Sequence, residues 1–518
     1  MHLKWNTRWL ALPLLILALS SCEEDLLTED PTVIVNPATF YNNLEQAELA
    51  MAGVYAIRQQ DFGYVDDRGA GVLGFAIMFG TLGTDEVYGP PWAPPGRKAL
   101  DQHTVTPSVD DLFTMWSNHY KGIGVVNSFL ANLERMTEDQ IDVEDQLRLA
   151  GEAKVVRAML YFNMVRMWGD VPLVLEERTN LTDDLEPSQV SQEEIYAQII
   201  QDLQEASAGL EYRSGTGRVT KGAAEGLLGR VYLTMAGEPL NKTERYADAA
   251  TAFENVIQSG EYSLVPNFRD VFTIENELNP EMVQVIEHDG PKVVGGGQRS
   301  ALGTFYGPNG FPGCDGGGWT TAWVTTKFEA EFERNDPRRR VSIAYHNSCN
   351  VEQDSVEPVG RARPWKWQKP FTNDWQNDTP FDFPYQRYSE ILLGFAEAKA
   401  QELGGPNQAA YSAVNAVRAR ARGEEDPATV LPALPTDLSL DEFIEAVWHE
   451  RTVEFAFEGQ RRSDLIRQGR LGEELAKIDH PNPPSAGNPD FQPCEIFLPV
   501  PQKEIDLNKN LRQNPCYQ

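Results

Sequence analysis

Residues 449–461 read HERTVEFAFEGQR, which sets Glu450, Arg451, Glu454, Glu458 and Arg461 at helical intervals of one to four. Carboxylates so spaced share one helix face, and two of them at the right separation are what a glycosidase uses as acid and base. The chain carries 77 acidic residues, so such pairs are expected by chance and carry no weight alone. Glu454 and Glu458 each have an arginine three residues away, Arg451 and Arg461. The spacing therefore reads as ion pairing between turns, worth about 0.3 to 0.5 kcal/mol per exposed pair. GxSxG, HExxH, P-loop and strand-linked GxGxxG motifs are all absent from the sequence. Nothing in it asks for catalysis or for a cofactor.

The tryptophans are a second set of residues that could do chemistry. Trp319, Trp323, Trp365, Trp367 and Trp375 lie in one irregular stretch, and Trp92 lies in the Pro-rich loop YGPPWAPPGRK. A flat aromatic face suits the C–H face of a sugar ring, and a few polar groups can fix its hydroxyls. Trp319 and Trp323, beside Gly316–Gly318 and with Tyr306 upstream, are the first candidates, with Trp92 and Arg97 approaching from the earlier loop. Asn309, Asp315 and Arg299 are possible polar partners. The bland reading is that each indole packs its own loop onto the body. It is favoured for Trp365 and Trp367, because RARPWKWQK alternates like a strand with one buried face. That stretch is also basic in an acidic protein, which suits an acidic sugar or a protein partner.

Five cysteines complete the reactive inventory. Cys22 follows Lys4, Arg8, the apolar run from Trp9 to Leu19 and the small residues Ser20 and Ser21, the layout of a secretory signal. The run is too short to cross a bilayer, which takes about 20 apolar residues. Leu19-Ser20-Ser21-Cys22 also resembles the lipobox of bacterial lipoproteins, whose cysteine is acylated. Several acyl chains, at about 0.8 kcal/mol per buried methylene, hold a protein on a membrane. Glu23-Glu24-Asp25 reads as a solvated tether, and it resembles the acidic export signal of Bacteroidetes lipoproteins facing outward from the outer membrane. Cys314, Cys349, Cys494 and Cys516 allow three pairings in an exported chain, of which neighbours in sequence are preferred. A four-cysteine zinc site is the rival, but no CxxC pair is present.

A net charge of -32 argues against nucleic acid as a partner, since a phosphate-binding surface needs clustered Lys and Arg. The elements that would position these residues are mostly helical from Asn36 to Leu264. Phe40, Leu44, Ala47, Met51 and Val54 form one apolar stripe, and Leu112–Met136 and Val143–Trp168 are long amphipathic segments. Ser191 with Glu194 makes a capping box ahead of Ile195, Ile199, Leu203, Ala206 and Leu210. Thr220–Met235 and Tyr246–Ser259 form a helix pair in which Leu228-Gly229-Arg230-Val231-Tyr232 and Ala249 to Phe253 match the tetratricopeptide patterns LGxxY and AxxxF. Small residues there let helices approach, and aromatic ones plug the gap. Helical periodicity returns from Tyr388, with Ser439 and Glu442 capping a late helix. Between the halves, EMVQVIEH (281–288) reads as a strand, followed by Gly- and Trp-rich stretches. The expected fold is mainly α, a tetratricopeptide-like helix-pair scaffold with few short strands and a loop-rich ligand region. The expected divisions are 1–21 signal, 22–36 tether, 37–277 and 388–518 helical regions, and 278–387 insert, in one integrated body.

LAGEAKVVRAMLYFNMVRMWGDVPLV (149–174) resembles the signature helix and turn of the SusD/RagB family of outer-membrane nutrient-binding lipoproteins. Glu152-Ala153, Arg157-Ala158, Tyr161-Phe162 and Gly169-Asp170-Val171-Pro172 hold its places. Later blocks agree: Glu390 to Ala398 with Asn415, Arg418 and Arg420; Glu450-Arg451, Glu454, Glu458-Gly459, Arg461, Asp464-Leu465, Arg467 and Gly469; and LPVPQKEIDLNKNLRQNP (498–515). Cys516 departs from the family's Asn-Pro-Gly-Tyr ending, which favours a local disulfide to Cys494. The resemblance implies four tetratricopeptide-like helix pairs, a variable ligand region, oligosaccharide binding and a SusC-like TonB-dependent barrel as partner. It leaves open a peptide ligand, as in some RagB-like members. A repeat scaffold that binds no small ligand, and a helical-barrel glycoside hydrolase, are the rival classes.

Overall fold

The computed structural model describes residues 40–62, 64–65, 72–74, 79–91, 93–178, 186–212, 217–288, 300, 302, 322–344, 362–367, 381–478 and 491–518. Seven helices come first: α1 (Leu44–Phe62), α2 (Pro95–Asp101), α3 (Asp110–Arg135), α4 (Val143–Trp168), α5 (Gln192–Gly209), α6 (Lys221–Ala236) and α7 (Arg245–Gln258). After a central stretch in which the described residues include the short α8 (Thr326–Glu329) and α9 (Pro337–Ser342), the helical body resumes. It continues through α10 (Tyr388–Leu403), α11 (Gln408–Arg422), α12 (Leu440–Glu454), α13 (Arg461–Arg467), α14 (Leu471–Ala476) and α15 (Gln502–Leu507). The strands form two-stranded pairs: β1 (Tyr64–Val65) with β2 (Val72–Leu73), β3 (Val87–Tyr88) with β7 (Trp323–Val324), β4 (Val171–Pro172) with β5 (Gln189–Val190), β6 (Met282–Ile286) with β10 (Phe383–Arg387), and β8 (Ile343–Ala344) with β9 (Arg363–Pro364). All five pairs are antiparallel.

Helices pack chiefly on their neighbours in sequence, α3 on α4, α4 on α5, α5 on α6 and α6 on α7, and then α7 on α10 and α10 on α11 and α12. This is the logic of a repeat stack, in which each pair covers its apolar face with the next. The stripes read from sequence are the ones buried. Ala47, Met51 and Val54 of α1 and Ile195, Ile199, Leu203 and Ala206 of α5 are fully covered and belong to one continuous core. Helix starts follow local chemistry. Ser439 and Glu442 form the reciprocal capping box at α12, and the Ser191 hydroxyl accepts the Glu194 N–H at α5. The expected strand at 281–288 is β6.

The α6–α7 pair shows why its residue types are needed. Phe253 of α7 is fully buried. A methyl group on Gly229 of α6 would sit 2.6 Å from its ring, and one on Gly394 of α10 would also sit 2.6 Å from it. The ring is thus held between two glycines on separate helices, and the stack passes from its first half to its second through this contact. At the chain's end, Cys494 is bonded to Cys516, the expected neighbour pairing. Cys314, Cys349 and Cys22 lie outside the described residues.

Two stability outcomes follow. Phe253→Ala should cost about 3 to 5 kcal/mol through the cavity it leaves, and Gly229→Ala about 1 to 3 kcal/mol through overpacking, both read from urea unfolding. Cys494 and Cys516 are separated by 22 residues, so opening the bond, as in a Cys494→Ser, Cys516→Ser double variant, should lower unfolding free energy by about 3 kcal/mol. Unchanged midpoints would contradict these assignments.

Candidate functional site

Four short strand segments adjoin the expected ligand region in sequence and form one ribbon. In β3 and β7, Val87 lies opposite Val324 and Tyr88 opposite Trp323. The Val324 N–H donates to Ala362 O at 2.9 Å, which brings β9 alongside, and β9 pairs with β8. The Trp365 N–H donates to Ser342 O at 2.7 Å. The ribbon adjoins in sequence the stretches 303–321, 345–361 and 368–380, which lie outside the described residues and include Tyr306 and Trp319.

Trp323 is only 7% exposed, and its ring meets Tyr88 edge to face at 5.4 Å. The indole expected as an open platform therefore packs into the ribbon, because its position opposite Tyr88 in a non-local strand pair gives it a partner that spacing alone does not reveal. The same pairing sets its strand beside the stem of the Trp92 loop. That loop is tied back on itself and on α2: Ala93 N–H donates to Pro90 O at 2.9 Å, Gly89 N–H to Asp101 Oδ2 at 2.9 Å, and Lys98 Nζ to Pro91 O. Arg97 is half-buried on α2, where its charge tempers the upward push of burial on Asp111. Trp92 lies outside the described residues. Trp367 is buried edge to face against Phe272. Lys366 does not offer its charge to a ligand or partner either. It is fully buried and donates to Glu458 Oε1 at 2.8 Å and Glu454 O at 3.0 Å.

The ribbon is bolted to the helices by buried ions. Thr325 N–H donates to Glu86 O at 3.0 Å. Just before β3, Asp85 accepts Arg461 Nε and Nη2, each at 2.7 Å, together with Lys327 Nζ. Burial alone would push the Asp85 carboxyl upward, but Arg461 and Lys327 overcome it and hold it well below the usual range. Lys327 also reaches Glu331 at 2.9 Å and Glu474 at 2.5 Å. Asp85, Glu331 and Glu474 lie close enough together to hold a metal ion, and here an ammonium group already sits among the three carboxylates.

The glutamates of 449–461 are ion-paired, as expected, but not as exposed neighbours on one helix. Glu450 accepts Arg338 at 2.5 Å and Arg418 at 2.8 Å. Glu454 accepts Arg338 at 3.2 Å, Arg387 at 2.9 Å and Arg420, while Glu458 accepts Arg387 at 2.8 Å. All three glutamates are within 2% of complete burial. Their partners stand far off in sequence, so helical periodicity could show the face but not what covers it. Sequence reading missed Asp85, Glu86, Lys327, Arg338, Lys366 and Arg387. Alternation in RARPWKWQK, with the indoles inward, points Lys366 outward, yet it is fully buried, so no local signal marked it.

The earlier signature is spent in the same way. Arg157 forks onto Asp202 with two 2.8 Å bonds, and Glu152 accepts Arg148 at 3.1 Å and Arg218 at 2.7 Å. The Tyr161 hydroxyl both accepts the Val174 N–H at 2.7 Å and donates to Val174 O at 2.8 Å.

The described residues thus form a mainly helical body of stacked pairs, with a ribbon of short strands tied to it by buried ions. The model of the SusD family matches residues 259–517, and a second, described as starch-binding associating with outer membrane, matches 97–233. The chain belongs to the SusD family. It is 26% identical to SusD-like protein P25 of Formosa agariphila, with 96% of each chain covered. It is 25% identical to the starch-binding protein SusD of Bacteroides thetaiotaomicron over 76% of each chain. A solved SusD homolog from Bacteroides thetaiotaomicron superposes with a TM-score of 0.81 at 25% identity, covering 96% of this chain and 100% of that one.

Glu86, next to Asp85, has the opposite electrostatics. It accepts the Phe457 N–H at 2.9 Å, and burial pushes its carboxyl up to about 8. A carboxyl raised on folding adds stability that is complete below the unfolded value near 4.5 and is lost as pH rises through about 8. Glu86→Gln keeps the acceptor and removes the titration. Thermal and urea unfolding between pH 5 and 8 should show the wild type falling behind this variant, by on the order of 3 kcal/mol at pH 8. Parallel pH curves would refute the reading.

Proposed function

We propose that this protein is a non-enzymatic, surface-exposed outer-membrane lipoprotein that binds oligosaccharide and passes it to a SusC-like TonB-dependent barrel. Family membership across both halves of the chain carries this reading, supported by the starch-binding relative. Cys22 is the acylation site and the acidic residues after it are the tether. Among the described residues no helix is long and apolar enough to cross a membrane. Ligand is held by aromatic residues of the stretches that adjoin the β3–β7 ribbon in sequence, with Trp92, Trp319, Tyr306 and Arg97 as the contacts, while Trp323 is packed within the ribbon itself. The net charge of -32 disfavours polyanions at low salt and suits neutral glycans.

Calorimetry on the purified chain with maltohexaose, other neutral hexasaccharides and hexapeptides tests this directly. Saccharide binding that falls at least tenfold in Trp92→Ala and Trp319→Ala, with unfolding temperature preserved, is the expected result. Peptide binding would move the protein to the peptide-importing kind of lid. Binding of neither would leave a bare scaffold and overturn the proposal.

A further inference from the structure

Trp92 sits within GPPWAPPG (89–96), where prolines occupy positions 90, 91, 94 and 95. Each proline fixes its own φ and lacks an N–H, so the backbone on either side of Trp92 is stiff and its carbonyls need donors from elsewhere. Ala93 N–H donates to Pro90 O at 2.9 Å, and α2 supplies two more donors, Lys98 Nζ to Pro91 O and Lys98 N–H to Pro94 O at 3.0 Å. One turn further along the same helix, Asp101 Oδ2 accepts the Gly89 N–H at 2.9 Å. Lys98 and Asp101 are three residues apart and so share a face of α2, and α2 itself is pinned to the core by buried Leu100. The far end of the stem is fixed separately, with His103 Nε2 at 3.0 Å and Arg462 Nη1 at 3.3 Å from Gly83 O.

Asp101 is the informative part of this arrangement. It is 3% exposed. Burial pushes its carboxyl up to about 7, against the backbone N–H groups of Gly89 and Gly83, which favour the charge. The charged and titratable side chains around it are engaged elsewhere: Lys98 on Pro91 O, Arg97 beside Asp111, and His103 and Arg462 on Gly83 O. A carboxyl raised on folding contributes stability that is complete below its usual value of 3.8 and is lost as pH rises through about 7. An ionised Asp101 therefore costs the fold stability at pH 8, while it binds the loop more firmly, because charge-assisted hydrogen bonds are the strong ones. A group that weakens the fold and orders a surface loop is placed for what that loop does.

We propose that Lys98 and Asp101 are positioning residues for recognition: they hold the turn that carries Trp92 in its binding geometry and touch no ligand themselves. The proposal rests on the saccharide-binding reading above, in which Trp92 is a contact. A loop ordered in advance has less freedom to lose on binding, so releasing it weakens affinity without removing a contact. Calorimetry on the purified full chain at pH 8, with maltohexaose and the other neutral hexasaccharides, should find affinity on the order of fivefold weaker in Lys98→Met and in Asp101→Asn. Lys98→Arg, which keeps a cationic donor, should restore it. In a Trp92→Ala background the same substitutions should add nothing, since residues that act through one another are not additive. The unfolding temperature of Asp101→Asn at pH 8 should stay level or rise. Unchanged affinity in both variants, with Trp92→Ala weakened, overturns the positioning role and leaves the proposed function standing. So does a loss that persists undiminished in the Trp92→Ala background, which makes the two residues independent of Trp92. An unfolding temperature that falls with the affinity makes them structural and also overturns the role. If Trp92→Ala binds as the wild type does, the positioning role fails together with that contact. A wild type that binds no saccharide overturns both readings.

Discussion

The described structure depends on a set of charges that cannot be separated. Glu450, Glu454 and Glu458 lie four residues apart along α12 and its extension, fully buried, and their cations arrive from elsewhere: Arg418 and Arg420 from α11, Arg338 from α9, Lys366 from beside β9, and Arg387 from β10. Removing ions from water is costly, and only multiple well-placed partners repay it. A glutamate with three arginines is stable as a group and costly in any part, since losing one partner strands the others. The helical scaffold therefore grips the central stretch by charge as much as by apolar contact.

That grip sets the position of the ribbon. Asp85 reaches into α13 through Arg461 and toward α14 through Lys327 and Glu474, while its neighbour Glu86 takes the Phe457 N–H and offers its own carbonyl to Thr325. β3 and β7 are only two residues long each, too short to fix their own register by ladder bonds. The ions at their ends do that work, and sequence-distant pairs such as Arg461 with Asp85 hold the N-terminal loop stem against the C-terminal helices.

What the sequence made legible follows from the range of each interaction. Helices α1, α5, α6, α7 and α12 were readable because apolar period, caps and small-aromatic patterns act within a few residues, and Phe253 between Gly229 and Gly394 is the packing that LGxxY and AxxxF encode. The Cys494–Cys516 bond was readable as a neighbour pairing. That Trp323 packs inward and that the glutamates of α12 are covered was not legible, for one reason. Their partners, Tyr88, Arg338, Lys366 and Arg387, are set by non-local pairing, and a residue's type and spacing do not say whether a partner 60 or more positions away will cover it.

The same distinction separates what the family resemblance carries from what it leaves free. The residues that carry it, Glu152, Arg157, Tyr161, Glu390, Arg418, Arg420, Glu450, Glu454, Glu458, Arg461, Asp464 and Arg467, are bound up in the interior, Glu390 with Arg230 and Arg467 with Asp464 and Glu397. None of them has a charge to offer a ligand. Replacing one without its partners leaves an unpaired buried ion, so such a network constrains its members jointly and says nothing about what the protein binds. Recognition must then rest on side chains outside it, where a substitution alters contacts without stranding a charge. A scaffold fixed by interior ions and read through unconstrained loops can hold one architecture at about a quarter sequence identity, while the chemistry at its surface is set independently.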